Sequence, residues 1–288
     1  MSKVKKIRFV SSLLLIIMMA VPTVSMAAQP TVKLGTASTF AVLAGSAISN
    51  TGPTTISGSA GGDIGLSPEN LSSITGVNLI TMSGGAVHAA PDAVALKAKN
   101  DLVTAYNDAA GRTPVTTIAS ELGGTTLKPG TYDSSDGKFG ITGTLTLDAE
   151  NDPNAVFVFK TAETLITASG SSVNLIKNAQ SCKVFWQVGS AATLGTNSNF
   201  VGHILALTSI TATTGAKVKG QLLARNGAVT LDTNTITNDN CETTAVKPTV
   251  TGGKLPKTST HLYDLILLGG ALTLIGAVGW RRSRKRFV

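Results

Sequence analysis

Thr193-Leu194-Gly195-Thr196, Thr211-Ala212-Thr213-Thr214 and Thr230-Leu231-Asp232-Thr233 stand 18 and then 19 residues apart in a chain of 288. Self-similarity at such a period marks successive units of one repeating structure. The match extends past the threonines. Phe200-Val201-Gly202-His203 falls on Val218-Lys219-Gly220-Gln221, and Ile204-Leu205-Ala206 falls on Leu222-Leu223-Ala224. Short runs of alternating character bounded by Gly, Asn and Ser read as strands, and strands recurring at a fixed period read as a β-solenoid. Weaker matches at Thr164-Leu165-Ile166-Thr167 and Ser46-Ala47-Ile48-Ser49 predict further coils.

Strand alternation then assigns faces. With Leu194, Ala212 and Leu231 inward, Thr193, Thr211 and Thr230 point outward, followed by a column of Gly195, Thr213 and Asp232. Thr196, Thr214 and Thr233 close each segment on the same candidate surface. The next strand of each coil has Phe200, Val218 and Ile236 inward. It turns Asn199, Lys217 and Thr235 outward, then Val201, Lys219 and Thr237. In an earlier coil Thr167, Ala168, Ser172 and Asn174 offer small polar groups at the corresponding place.

One element differs. From Pro91 to Ala110 the residues Ala95, Ala98, Leu102, Ala105 or Tyr106, and Ala109 recur at spacings of three and four, which predicts a helix ended by Gly111 and Pro114. Its stripe of small residues suits packing along the solenoid.

The ends of the chain carry a different message. Lys3, Lys5, Lys6 and Arg8 precede an apolar stretch from Phe9 to Val21 and the small-residue run Ser25-Met26-Ala27-Ala28, the order of a secretory signal over 1–27 with cleavage after Ala27. A single membrane anchor is the rival reading, against which Ser11 and Ser12 interrupt the stretch and Pro22 ends it. Residues 242–254 lack periodicity and read as a spacer. Leu255-Pro256-Lys257-Thr258-Ser259, an apolar segment at 265–280 and a basic tail at 281–286 resemble a Gram-positive cell-wall sorting signal over 255–288. That resemblance implies a sortase that recognises Leu255, Pro256, Thr258 and Ser259, attacks the Thr258 carbonyl and joins the protein to peptidoglycan. Ser259 departs from the family's usual Gly. A plain tail anchor is the alternative, and either tail places the body outside the cell or on the outer face of its membrane.

The formal charge of +8 comes from residues 1–27 and 259–288, which hold nine of the 24 basic residues and a single acid, Asp264, leaving 15 basic and 15 acidic side chains over 28–258. The body is therefore neutral, which removes the basic footprint a nucleic-acid binder needs. Cys182 and Cys241 both fall in the exported part and can pair in an oxidising space, free buried thiols being the alternative.

No nucleophile, zinc or phosphate-loop motif occurs, so no enzyme activity, cofactor or metal is expected. His88, His203 and His261 are far apart in sequence. His203 aligns with Gln221 and reads as structural; His88 reads as a local hydrogen-bonding group. Asp148-Ala149-Glu150-Asn151-Asp152 resembles a calcium loop only at its start, since Pro153 and Phe159 stand where Gly and Glu are required.

Several blocks carry a wider resemblance. They are 34–45, Ala105-Tyr106-Asn107-Asp108-Ala109-Ala110-Gly111, Asp152-Pro153-Asn154-Ala155-Val156-Phe157-Val158-Phe159, Val184-Phe185-Trp186-Gln187-Val188-Gly189, and 223–232. In order and spacing they resemble the microbial ice-binding protein family with a discontinuous β-solenoid, over about Val32 to Cys241. The resemblance implies an all-β fold with one long α-helix over 28–241: a right-handed, triangular solenoid with the helix alongside, whose first and last coils stack. It also implies a monomeric body with ice as its partner, bound by a flat face of short polar residues. Candidate ice contacts are Thr193, Thr196, Asn199, Thr211, Thr213, Thr214, Thr230, Thr233, Thr235, Thr167 and Ser172. Lys217 and Lys219 interrupt the second row and predict modest activity. The competing class is a surface adhesin or structural module using the same fold without ice.

Overall fold

The computed structural model describes residues 29–241. The expected signal peptide, spacer and sorting tail, with Leu255, Pro256, Thr258 and Ser259, lie outside the described residues.

The chain winds through parallel coils, each visiting three faces. In stacking order the coils are 116–127, 130–148, 157–176, 184–201, 203–219, 221–237, 40–57 and 63–82, numbered here 1 to 8. The first open face is a seven-stranded parallel sheet running Phe139–Ile141, Leu165–Thr167, Ala192–Leu194, Ile210–Ala212, Val229–Asp232, Ile48–Thr51 and Ile74–Thr75. A fifteen-stranded sheet wraps the other two faces. It bends where Asn199–Ala206 and Lys217–Ala224 pass from the second open face to the helix-covered face. The bends fall at Gly202 and Gly220, which are register partners with φ of +114° and +152°. A side chain at Gly220 would strike the carbonyl oxygen of Gly202 at 2.0 Å, so only glycine fits this corner.

Coil 7 comes from the start of the chain yet stacks on coil 6. Val42 pairs with Leu222, Ser49 with Thr230 and Ile56 with Ile236. This pairing satisfies the open edge that coil 6 would otherwise expose on all three faces.

Inside, alternation places one apolar residue per coil in each column. Tyr132, Phe159, Trp186, Ile204, Leu222, Val42 and Ile64 follow one another in register along the helix-covered face. The large rings lie at one end, with Phe159 and Trp186 stacked at 4.0 Å between centroids. Trp186 Nε1 donates to the Val201 carbonyl at 3.0 Å, so the indole enters the core with its polar atom satisfied.

The helix spans Ala93–Ala110 and buries Ala95, Ala98, Lys99, Leu102, Ala105, Tyr106 and Ala109. It begins two residues later than expected because Asp92 is extended and its carboxylate accepts from Val94 N at 2.7 Å, the work of an N-cap. Its small-residue stripe packs on Val158, Phe185, Leu205, Leu223 and Leu43 of the helix-covered face. Eighteen residues at 1.5 Å each give about 27 Å, close to six coil spacings of about 4.8 Å. Lys99 reaches through the contact to donate to the Ala224 and Arg225 carbonyls. Burial lowers its pKa to about 8.

Two expectations about register are corrected. Ile166, not Thr164, stands opposite Thr193, and Ser49, not Ser46, stands opposite Thr230. Both segments are strands whose preceding turns match those of coils 4 and 5 in length: Ile166 follows Thr161, and Ser49 follows Ala44, by five residues, as Thr193 follows Val188. Position 166 carries no hydroxyl and Ser46 lies in the turn, so aligning on hydroxyl identity slipped each by two or three residues.

Candidate functional site

The helix covers one face of the prism, which leaves two open. On the first, parallel register builds an outward column of Thr193, Thr211, Thr230, Ser49 and Thr75, one hydroxyl per coil from coil 4 to coil 8. Each follows an inward apolar residue, and Thr193, Thr211 and Thr230 have one on both sides, such as Ile210 and Ala212 beside Thr211, which fixes the direction of the outward residue. Ser49 Oγ lies 3.4 Å from Thr230 Oγ1, so the hydroxyls continue from the C-terminal coils onto the N-terminal ones.

A second column lies two residues earlier: Thr164, Ala191, Ser209, Ala228, Ala47 and Ser73. Backbone bonds at the next residue carry the register through it. Leu165 N donates to Ala191 O, Ala192 N to Ser209 O, Ile210 N to Ala228 O, and Val229 N to Ala47 O. From coil 3 to coil 8 neither column contains a charged side chain. The result is a grid about 4.8 Å by 6.7 Å of hydroxyl and methyl groups. Ile166, 54% exposed, extends the outward column at coil 3.

The residues singled out from sequence divide between this grid and other places. Thr193, Thr211 and Thr230 are on it. Thr196 and Thr214 are exposed at the corner beyond it, and Thr214 donates to the Asp232 carboxylate. Gly195, Thr213 and Asp232 do not form a flat column. Gly195 is buried, Thr213 turns its hydroxyl back onto the Leu194 carbonyl at 2.7 Å, and Asp232 accepts from the Thr214 and Thr233 hydroxyls.

Thr233 is shifted as well. Its φ of +54° places it in the left-handed corner position that Asn197 and Gly215 occupy in the preceding coils, because coil 6 is one residue shorter there. Thr167 is overturned as a surface group. It is 4% exposed, and its hydroxyl accepts from Gly195 N at 2.9 Å, satisfying a buried corner amide.

Asn199, Thr235 and Ser172 lie on the second open face. Its outward column reads Thr144, Ser172, Asn199, Lys217, Thr235, Thr55 and Thr81. The column beside it reads Thr146, Asn174, Val201, Lys219, Thr237 and Ser57, where Thr146 pairs with Asn174 and Val201, Lys219, Thr237 and Ser57 follow one another in register. Both lysines are exposed in the middle of this face.

Ser49, Thr75, Ser209 and Ser73 were missed from sequence. One signal marks the first two: an inward β-branched residue precedes each outward hydroxyl, as in Ile48-Ser49, Ile74-Thr75, Ile210-Thr211 and Val229-Thr230. Aligning on the inward residue finds them.

The titratable groups set aside above have structural partners. His88 Nδ1 lies 2.6 Å from Asp92 Oδ2, and together with Val94 N it holds that carboxyl below its usual range. His203 is buried, and burial pushes its pKa down to about 4. Asp148 pairs with Lys177 at 2.6 Å, and Glu150 with Lys128 at 2.5 Å. Cys182 and Cys241 are joined in a disulfide that closes a separation of 59 residues.

With this geometry in hand, comparison with known proteins is specific. The model of the ice-binding-like family matches residues 42–237. An ice-binding protein of Nostoc sp. (strain HG1) is 48% identical over 207 residues, covering 71% of this chain and 73% of the relative. Ice-binding protein 1 of Shewanella frigidimarina (strain NCIMB 400) is 34% identical over 237 residues, covering 72% of this chain but 26% of that longer protein. Among solved structures, an ice binding protein from an Antarctic biological consortium superposes with a TM-score of 0.69 at 45% identity, covering 73% of this chain and 92% of that one. The chain belongs to the ice-binding-like family.

Proposed function

We propose that the protein is exported, held at the cell surface, and adsorbs to ice through the first open face. The observation that carries this reading is the registered hydroxyl column Thr193, Thr211, Thr230, Ser49 and Thr75 beside an uncharged column of small residues. Threonine has few rotamers and sets a methyl beside a hydroxyl, so waters held on the grid keep a fixed, ice-like spacing. The names of the relatives support the same ligand. Lys217 and Lys219 break the second face, which confines adsorption to the first face, and the expected activity is modest.

Export is supported by the N-terminal signal pattern and by the disulfide, which belongs to an oxidising compartment. Surface retention is supported by the sorting-like tail. Two experiments test the proposal. Ice grown in the presence of the purified protein should form faceted crystals, whereas round discs like those of buffer would count against adsorption. Envelope-bound protein should be released by a peptidoglycan hydrolase; release by detergent alone would replace wall attachment with a membrane anchor.

A further inference from the structure

The second open face carries a feature that ice adsorption does not use. Of the twelve Lys and Arg side chains among the described residues, eight have a hydrogen-bonding or ion-pair partner. Lys97, Lys128, Lys138, Lys177 and Arg112 meet carboxylates. Lys99 and Lys160 meet carbonyls, and Arg225 meets the Asn107 side chain and the Tyr106 ring. Lys217 and Lys219 are exposed and meet none of these. Lys33 and Lys183 are also unpaired, but they lie off this face.

The two free lysines are alternate outward residues of one strand, so their Cα atoms are about 6.7 Å apart. They are the only charged residues in the two outward columns of the face from coil 2 to coil 8. Asn199 and Thr235 flank Lys217, and Thr237 flanks Lys219. Asp239, at the edge beside the disulfide, already accepts from Ser59 N at 3.1 Å.

We propose that the second open face binds an acidic polysaccharide, whose carboxylates meet Lys217 and Lys219 and whose hydroxyls meet Asn199, Thr235 and Thr237. Charge complementarity selects the partner. An ammonium pair without an ion-pair partner, beside the amide of Asn199 and the hydroxyls of Thr235 and Thr237, matches a polymer that alternates carboxylates with many hydroxyls. The absence of aromatic side chains from both outward columns, and a charge of only two, argue against a nucleic acid strand. The site stands apart from the first face and does not rest on the ice reading. If both hold, one face takes the glycan and the other stays free for ice.

The test is retention of the purified protein on immobilised polygalacturonate, with neutral dextran and single-stranded DNA as comparison polymers. Wild type is expected to be retained on polygalacturonate in low salt and released as ionic strength rises, since exposed charges are screened over about 10 Å at 0.1 M. K217T/K219T should weaken that retention at least tenfold. K217R/K219R and K183T should retain it, and matching melting curves would exclude misfolding. No retention of wild type, equal retention of K217T/K219T, or equal retention on dextran or DNA would each overturn the assignment.

Discussion

Thr211 shows how a single outward residue is fixed by its neighbours. Ile210 and Ala212 are fully buried and leave the threonine between them half exposed. Thr211→Tyr or Thr230→Tyr should therefore leave the melting temperature within about 2 °C, as surface changes do, while reducing uptake into ice about tenfold. A pair of variants that enter ice as well as wild type would move the site to another face. The outward direction of Thr193, Thr211 and Thr230 was legible because the flanking apolar residues repeat in three coils. Thr167 was not, because a hydroxyl that satisfies a buried amide looks in sequence like one that faces water.

His203 gives a residue-scale prediction for pH. Its folded pKa of about 4 lies below the ordinary 6.5, so the fold holds the neutral ring while the unfolded chain takes up the proton first. Stability from this group is full above pH 6.5, falls as pH drops toward 4, and levels off below. The loss is about 3 kcal/mol at 1.36 kcal/mol per unit. Chemical denaturation at pH 7 and pH 4 should show His203→Gln losing less stability than wild type over that interval; equal losses would show that the ring does not carry this term.

At the scale of elements, the helix was the most legible part. A stripe at spacings of three and four reports its own buried face, and Ala98, Leu102 and Ala105 are all fully buried against the sheet. Leu102→Ala should cost about 2–5 kcal/mol, the usual range for a deleted core leucine, measured by urea unfolding; a cost under 1 kcal/mol would mean the helix is loosely held. The cysteine pair closes a loop that contains all of coils 4 to 6. Replacing both cysteines by serine should cost on the order of 4 kcal/mol by the loop-entropy account. The strands of coils 3 and 7 were legible as strands but not in register. Coil 3 carries Ile166 where coils 4 to 6 carry threonine, and in coil 7 the turn residue Ser46 offers a hydroxyl three positions before Ser49, so hydroxyl identity pointed to the wrong residues.

At the scale of the molecule, the stacking of coil 7 on coil 6 decides how large the flat face is. Coils 4 to 6 alone would align three hydroxyls over about 10 Å; with coils 7 and 8 the column reaches about 19 Å. This step was not visible in periodicity, since residues 49 and 230 lie at opposite ends of the body, and it came only from family resemblance. Ser49→Lys should therefore impair ice uptake as strongly as Thr193→Lys. An effect of the second substitution without the first would confine the surface to the C-terminal coils.

The central claim is that the oxidised protein adsorbs to ice through its first open face, and ice-affinity partitioning of wild type beside Thr211→Lys tests it most directly. Wild type enriched in slowly grown ice, with Thr211→Lys left in the liquid, is the predicted result. Exclusion of correctly folded wild type from the ice would contradict it.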